Sequence, residues 1–120
     1  MRWEQVAEES WEAAFHLYDL SLFRSFASQS NYAAFSYCAN YLTERKVTFS
    51  EGREAPSHAQ LPKLLFDTLD ANLATKYEAR RAMSRLYKAR IDADYHTISQ
   101  DAFVSLQLKR DLAFIRKLCI

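Results

Sequence analysis

Residues 33–42 read AAFSYCANYL, and this stretch decides the architecture. Plotted at about 100° per residue, Ala33, Ala34, Phe35, Tyr37, Cys38, Ala39, Tyr41 and Leu42 cover nearly the whole circumference of a helix. A helix that is apolar all round is buried on several sides and needs neighbours on each of them. The stretch therefore predicts the central helix of a bundle, spanning residues 26–45.

The rest of the chain agrees with an all-α bundle. Its 120 residues are 49% hydrophobic and 14% aromatic, which is enough for one folded domain covering residues 1–120. A domain of this length buries roughly two-thirds of the surface its unfolded chain exposes. The one glycine and two prolines, Gly52, Pro56 and Pro62, fall within eleven residues of each other. A β-rich fold needs turn residues at regular short intervals, and a phosphate-cradling loop needs clustered glycines. Neither is present. Working outward from the central helix, the apolar spacing predicts a first helix over residues 3–20, with Trp3, Val6, Ala7, Ala14, Leu17 and Tyr18 on one face and Glu4, Glu8, Glu9 and Glu12 suiting its dipole. Residues 46–57 form the one long connection. Ser57, with Gln60 three positions on, reads as a capping box opening a third helix to about residue 72, with Pro62 in its first turn. A fourth helix is predicted over residues 76–95 and a fifth over residues 100–118, with Ser99 as N-cap and Asp101 in its first turn.

The fifth helix carries two apolar stripes, Phe103, Leu106, Ala113, Phe114 and Leu118 on one side and Val104, Leu108, Leu112, Ile115 and Cys119 about 120° away. One stripe suits the core, and the other calls for a second core contact or another subunit; substitutions at Leu108 or Ile115 are expected to disturb a homodimer and spare helicity. Cys38 and Cys119 lie 81 positions apart, without metal-ligand spacing, and read as buried free thiols in a reducing compartment. No cofactor or metal is implied. The charged N-terminus is not a signal peptide, and no uncharged run reaches the roughly 20 residues of a membrane span. A cytoplasmic protein that avoids membranes is expected.

The net charge of +1 conceals an asymmetry, five Lys/Arg against eight Asp/Glu in residues 1–60 and eleven against seven in residues 61–120. The fourth helix concentrates the excess. Arg81, Arg85 and Lys88 share one of its faces, a solvated face or a modest landing strip for RNA. On the apolar side, with Met83 at zero, Ala79 lies near −40°, Leu86 near −60° and Tyr87 near +40°, and Arg90 and Asp94 fall among them at about −20° and +20°. Two opposite charges at i and i+4 pair naturally. Burying such a pair costs several kcal/mol per ion, so the arrangement reads either as a packing device or as the lining of a cleft or a subunit interface, where Arg90 binds a phosphate or substrate and Asp94 holds it. His16, among apolar neighbours, reads as a packing residue. His58 is a polar helix-start residue, and His96 ends the fourth helix, six positions after Arg90.

Two segments together carry a family resemblance. Residues 28–35, SQSNYAAF, resemble the S-R-x-Y-Y-A-x-F segment of small HEPN-domain proteins, and residues 86–95, LYKARIDADY, resemble their L-Y-x-x-R-x-x-A-D-Y segment. Ser57-His58 before an apolar helix fits the S/T-H that begins their third helix. Gln29 and Asn31 stand where the pattern has arginine and tyrosine. The resemblance implies an up-down bundle of about five helices that dimerises, and often a metal-independent RNase of toxin or antiviral-defence type with an R-x(4–6)-H motif. Residues 90–96, RIDADYH, fit that motif. By resemblance Arg90 stabilises charge on the scissile phosphate, His96 moves the proton of the attacking 2′-hydroxyl, and Asp94 orients Arg90, leaving a 2′,3′-cyclic phosphate. Arg81, Arg85 and Lys88 are then RNA contacts, with Tyr95, His58 and Asn31 as secondary candidates. A nucleotidyltransferase-type antitoxin is the expected partner. The alternative is a non-catalytic HEPN module that binds a nucleotide or another protein.

Overall fold

The computed structural model describes residues 2–49, 53, 55–96 and 100–120. Five helices form the chain: α1 (Trp3–Asp19), α2 (Phe23–Glu44), α3 (Leu61–Thr68), α4 (Leu73–Tyr95) and α5 (Ala102–Cys119). No strand occurs among the described residues. The radius of gyration, 13.8 Å, is that of one compact body of this length.

As its composition requires, α2 is the hub. Phe26, Ala27, Ala33, Ala34, Cys38, Ala39 and Leu42 are fully buried on it, and it packs against each of the other four helices. Against α2 lies a narrow seam of α1, Trp3, Ala7, Ser10 and Ala14, at three- and four-residue spacing. Small residues there let the two helices approach closely. His16 lies about 200° from Ala14 on the α1 wheel and is exposed, so its expected role in packing is corrected. Leu86 of α4, Leu61 and Leu65 of α3, and Leu112 and Ile115 of α5 complete the core.

Scarce glycine does not leave the helices without proper ends. After α1, Ser21 takes a left-handed φ of 57°, its N–H donating to the Tyr18 carbonyl and that of Leu22 to the Leu17 carbonyl. After α2, Lys46 takes φ 59°, with Lys46 N–H on Thr43 and Val47 N–H on Leu42. Both are Schellman motifs, which satisfy the last carbonyls of a helix and ordinarily use glycine at the left-handed position.

The reciprocal Ser57–Gln60 bonds form, Gln60 N–H to Ser57 Oγ at 3.2 Å and Ser57 N–H to Gln60 Oε1 at 3.4 Å. They close a turn ahead of α3, which begins only at Leu61 with Pro62 in its first turn, as its missing N–H demands. The helix also stops earlier than its apolar run predicts. Leu69 swings to ψ 128°, and Asn72 accepts a hydrogen bond from Thr75 N–H at 2.8 Å as the N-cap of α4. At α5 the cap is Asp101, accepting from Val104 N–H at 2.7 Å, not a first-turn acid. Gly52 and the expected cap Ser99 lie outside the described residues.

Of one stripe of α5, Leu108, Leu112, Ile115 and Cys119 are core while Val104 is exposed; of the other, Phe103 is 83% exposed and Leu106 is exposed with it, while Phe114 and Leu118 pack partly against the core. Leu108 and Ile115 are therefore not subunit-contact residues, correcting that expectation; a charge at either would open the core. Both cysteines are free and buried. Cys38 Sγ lies 3.8 Å from Met83 Sδ, and a thiol–thiol hydrogen bond with Cys119, together with burial, holds its pKa well above the ordinary thiol value. No helix of the described residues is long and apolar enough to cross a membrane.

Candidate functional site

The buried arc of α4 is Ala79, Ala82, Met83, Leu86, Ala89 and Ala93. Its centre lies about 60° from the direction of Met83, toward the alanines. This rotation leaves Asp94 about 80° and Tyr87 about 100° from the centre, at and beyond the rim of the packed face, and Tyr87, expected in the core stripe, is 42% exposed. Arg90, about 40° from the centre, stays within the arc and is half-buried. The pair itself forms, Arg90 Nε to Asp94 Oδ2 at 3.3 Å, with side chains 29% and 31% exposed. Half-burial avoids the full desolvation cost of a buried ion pair and leaves the guanidinium with donors toward solvent.

Asp94 is fixed from a second side, since Ser28 Oγ of α2 donates to Asp94 Oδ2 at 3.3 Å. One turn earlier on α2, Arg24 donates through Nη1 to the Ala93 carbonyl and to the His96 carbonyl, the latter at 2.9 Å. A guanidinium on the last carbonyls of α4 satisfies the orphan acceptors and the negative end of its dipole. Leu17, Arg24, Ser25, Ser28, Gln29, Ala93 and Asp94 line an open depression of about 450 Å³ here.

An imidazole other than that of His96 lies within electrostatic range of Arg90. His58, in the turn before α3, contacts the rings of Phe35 (4.7 Å between centroids) and Tyr87 (5.3 Å). Partial desolvation among its neighbours first, and the positive charge of Arg90 second, push its pKa below the ordinary histidine value, although the residue keeps an exposed edge. Arg90, Asp94, Ser28 and His58 thus belong to one neighbourhood built from α2, α4 and the turn before α3. His96, the C-cap of α4, is held by its backbone, N–H on Asp92 and carbonyl on Arg24, and is itself exposed. Tyr95 is 70% exposed, and Asn31 is buried in α2.

The three residues expected to contact phosphate each have an acidic partner. Arg81 pairs with Glu78 at 2.9 Å and Lys88 with Asp92 at 2.8 Å. Arg85 makes a two-bond fork to Asp111, both at 2.8 Å, and reaches Glu78 at 3.3 Å. Asp111 is almost fully buried and also accepts from Gln107 at 3.0 Å. These bonds hold the Arg85 pKa above its ordinary value and that of Glu78 below. Arg85 is thereby committed to joining α4 and α5.

Arg24 and Asp111 were not among the sequence candidates. Asp111 had a signal, because Leu108, Asp111, Leu112 and Ile115 fall in one arc of about 100°, and an acid inside an apolar arc needs a partner. Arg24 had none, its carbonyl partners lying about 70 positions away. Among the described residues no group of three or more His, Cys, Asp or Glu is placed to hold a metal ion. Comparisons with protein-family models, curated proteins and solved structures find no match for the chain.

Proposed function

We propose that the chain is a HEPN-type, metal-independent endoribonuclease acting in the cytoplasm in a toxin or defence role, as a homodimer and under the control of a nucleotidyltransferase-type partner. The observation that carries the reading is the half-buried Arg90, held by Asp94 at 3.3 Å and close enough to His58 to weigh on its protonation. A guanidinium presents several donors in a rigid fork that matches phosphate oxygens. With its pKa depressed, His58 is neutral near pH 7 and able to accept a proton. The 2′-hydroxyl loses its proton to an imidazole, its oxygen attacks phosphorus, and the P–O5′ bond breaks. The 5′-oxygen takes up a proton from a second donor, leaving a 2′,3′-cyclic phosphate. Arg90 offsets the charge that builds on the phosphoryl oxygens. His58, and His96 by the family resemblance, are the candidates for these transfers.

RNA cleavage in EDTA, comparing wild type with Arg90→Ala, His58→Ala and His96→Ala, tests the reading. Loss of an acid–base group lowers the rate by roughly 10²–10⁴-fold, so Arg90→Ala and at least one histidine variant are expected to fall that far. Cleavage that requires metal, or that survives Arg90→Ala, refutes it. If His58 is the base, the rate holds down to below the ordinary histidine range before dropping, because its pKa is lowered rather than raised.

A second reading, a non-catalytic module that binds another protein, is favoured by a different surface. Phe103, 83% exposed, stands on the rim of a mainly apolar groove of about 440 Å³ between α4 and α5.

A further inference from the structure

Four aromatic rings run from the core to the surface beside Arg90. Trp3 of α1 meets Phe35 of α2 with centroids 5.9 Å apart and planes at 70°. Phe35 meets His58 at 4.7 Å and 38°, and His58 meets Tyr87 of α4 at 5.3 Å and 30°. Trp3 and Phe35 are buried, His58 is exposed and Tyr87 is 42% exposed. The inner contact is the edge-to-face packing of a core, whereas the outer two tilt toward stacking. The series therefore ends in a flat, partly open ring supported from beneath by a chain of others.

Tyr87 and Arg90 are three residues apart on α4, so they are neighbours on its surface, with Cβ atoms about 5–6 Å apart. One ribose separates a nucleotide's base from its phosphate, and this spacing suits that separation. We propose that Tyr87 and His58 form a stacking platform for an unpaired nucleobase whose adjoining phosphate is held by Arg90, so that the site takes single-stranded rather than duplex RNA. This rests on Arg90 as the phosphate ligand. Bases in a duplex are already stacked on both faces and offer nothing to such a platform, while an unpaired base is free to add to an aromatic ring. Any base serves, because every base has a flat face, so the platform selects strandedness rather than sequence. His58 held neutral contributes a ring here without adding a second positive charge next to Arg90.

The test is equilibrium binding of a fluorescently labelled 2′-O-methyl oligoadenylate, which cannot undergo 2′-hydroxyl attack, offered as a single strand and as a duplex with its complement. Wild type is expected to bind the single strand at least about tenfold more tightly than the duplex, and Tyr87→Ala to weaken that binding by about tenfold or more, with Tyr87→Phe staying within about twofold. Tyr87 is partly exposed, so its removal leaves the core intact, which far-UV circular dichroism checks. Equal affinity for the duplex, an unchanged Tyr87→Ala, failure of Tyr87→Phe to retain binding, or no single-strand binding overturns the proposal. Tyr87-dependent binding by a protein that does not cleave RNA leaves the platform standing and removes the catalytic reading. Cleavage with binding indifferent to Tyr87 does the reverse.

Discussion

Removal of Arg85 strands a buried carboxylate, and the expected cost follows from the asymmetry of its ion pair. The Asp111 side chain is 4% exposed and that of Arg85 is 38% exposed. In Arg85→Ala the carboxylate loses both 2.8 Å bonds and keeps the 3.0 Å bond from Gln107. Breaking a buried pair from one side costs about 3–5 kcal/mol, and with Gln107 retained the lower end, about 3 kcal/mol, applies. Asp111→Ala strands nothing comparable, since the Arg85 guanidinium keeps Glu78 at 3.3 Å and has access to water. Its cost is about 1–2 kcal/mol, the scale of a lost charged hydrogen bond. The double replacement Arg85→Met/Asp111→Leu, which removes both charges and fills the space, is expected within about 1 kcal/mol of wild type. Urea unfolding followed by circular dichroism measures all three. At about 4 °C per kcal/mol for a chain of this size, Arg85→Ala also lowers Tm by about 12 °C. If Arg85→Ala costs no more than Asp111→Ala, the guanidinium is not compensating a buried charge, and Arg85 returns to the list of residues free to contact RNA.

Two shorter predictions concern the chain reversals and the outer face. Ser21→Gly and Lys46→Gly each relieve a left-handed residue at a helix end, and the unfolding free energy from urea titration should rise by about 0.5–1 kcal/mol apiece, a left-handed side chain costing about 1–2 kcal/mol against the roughly 0.5–1 kcal/mol entropy penalty of glycine; a fall in stability refutes the steric argument. Phe103→Glu should leave the melting curve unchanged and reduce any self-association seen by light scattering, whereas Leu108→Glu should unfold the protein; a stable Leu108→Glu would contradict its burial in the core.

The apolar stretch at residues 33–42 was enough to identify α2 as the hub, because no surface helix tolerates that pattern. Helix ends were less legible. Ser57 and Gln60 do form their reciprocal bonds, yet the turn they close only leads into α3, which begins at Leu61, and Asn72, read as the tail of one helix, caps the next. The Arg90–Asp94 pair was visible from its spacing, but its exposure was not. Three alanines, Ala82, Ala89 and Ala93, draw the packed face of α4 toward themselves, and a wheel drawn around its larger side chains misses them. The neighbourhood of His58 and Arg90 depends on contacts between distant parts of the chain, which no local pattern encodes.

The ties that position Asp94 and the end of α4 span 66, 69 and 72 residues, from Ser28 to Asp94 and from Arg24 to Ala93 and His96. By contrast, α1 and α2 are joined by a three-residue link and pack closely on each other. Contacts near in sequence close first, and those that must bridge long loops wait for them. In kinetic terms these long separations predict a polar cluster that forms late in folding. While the protein is being made, no partial chain that stops short of the end of α4 holds the cluster together. If the cluster does cut RNA, that timing keeps the activity out of the growing chain, and it arises only once the fourth helix has docked against the second.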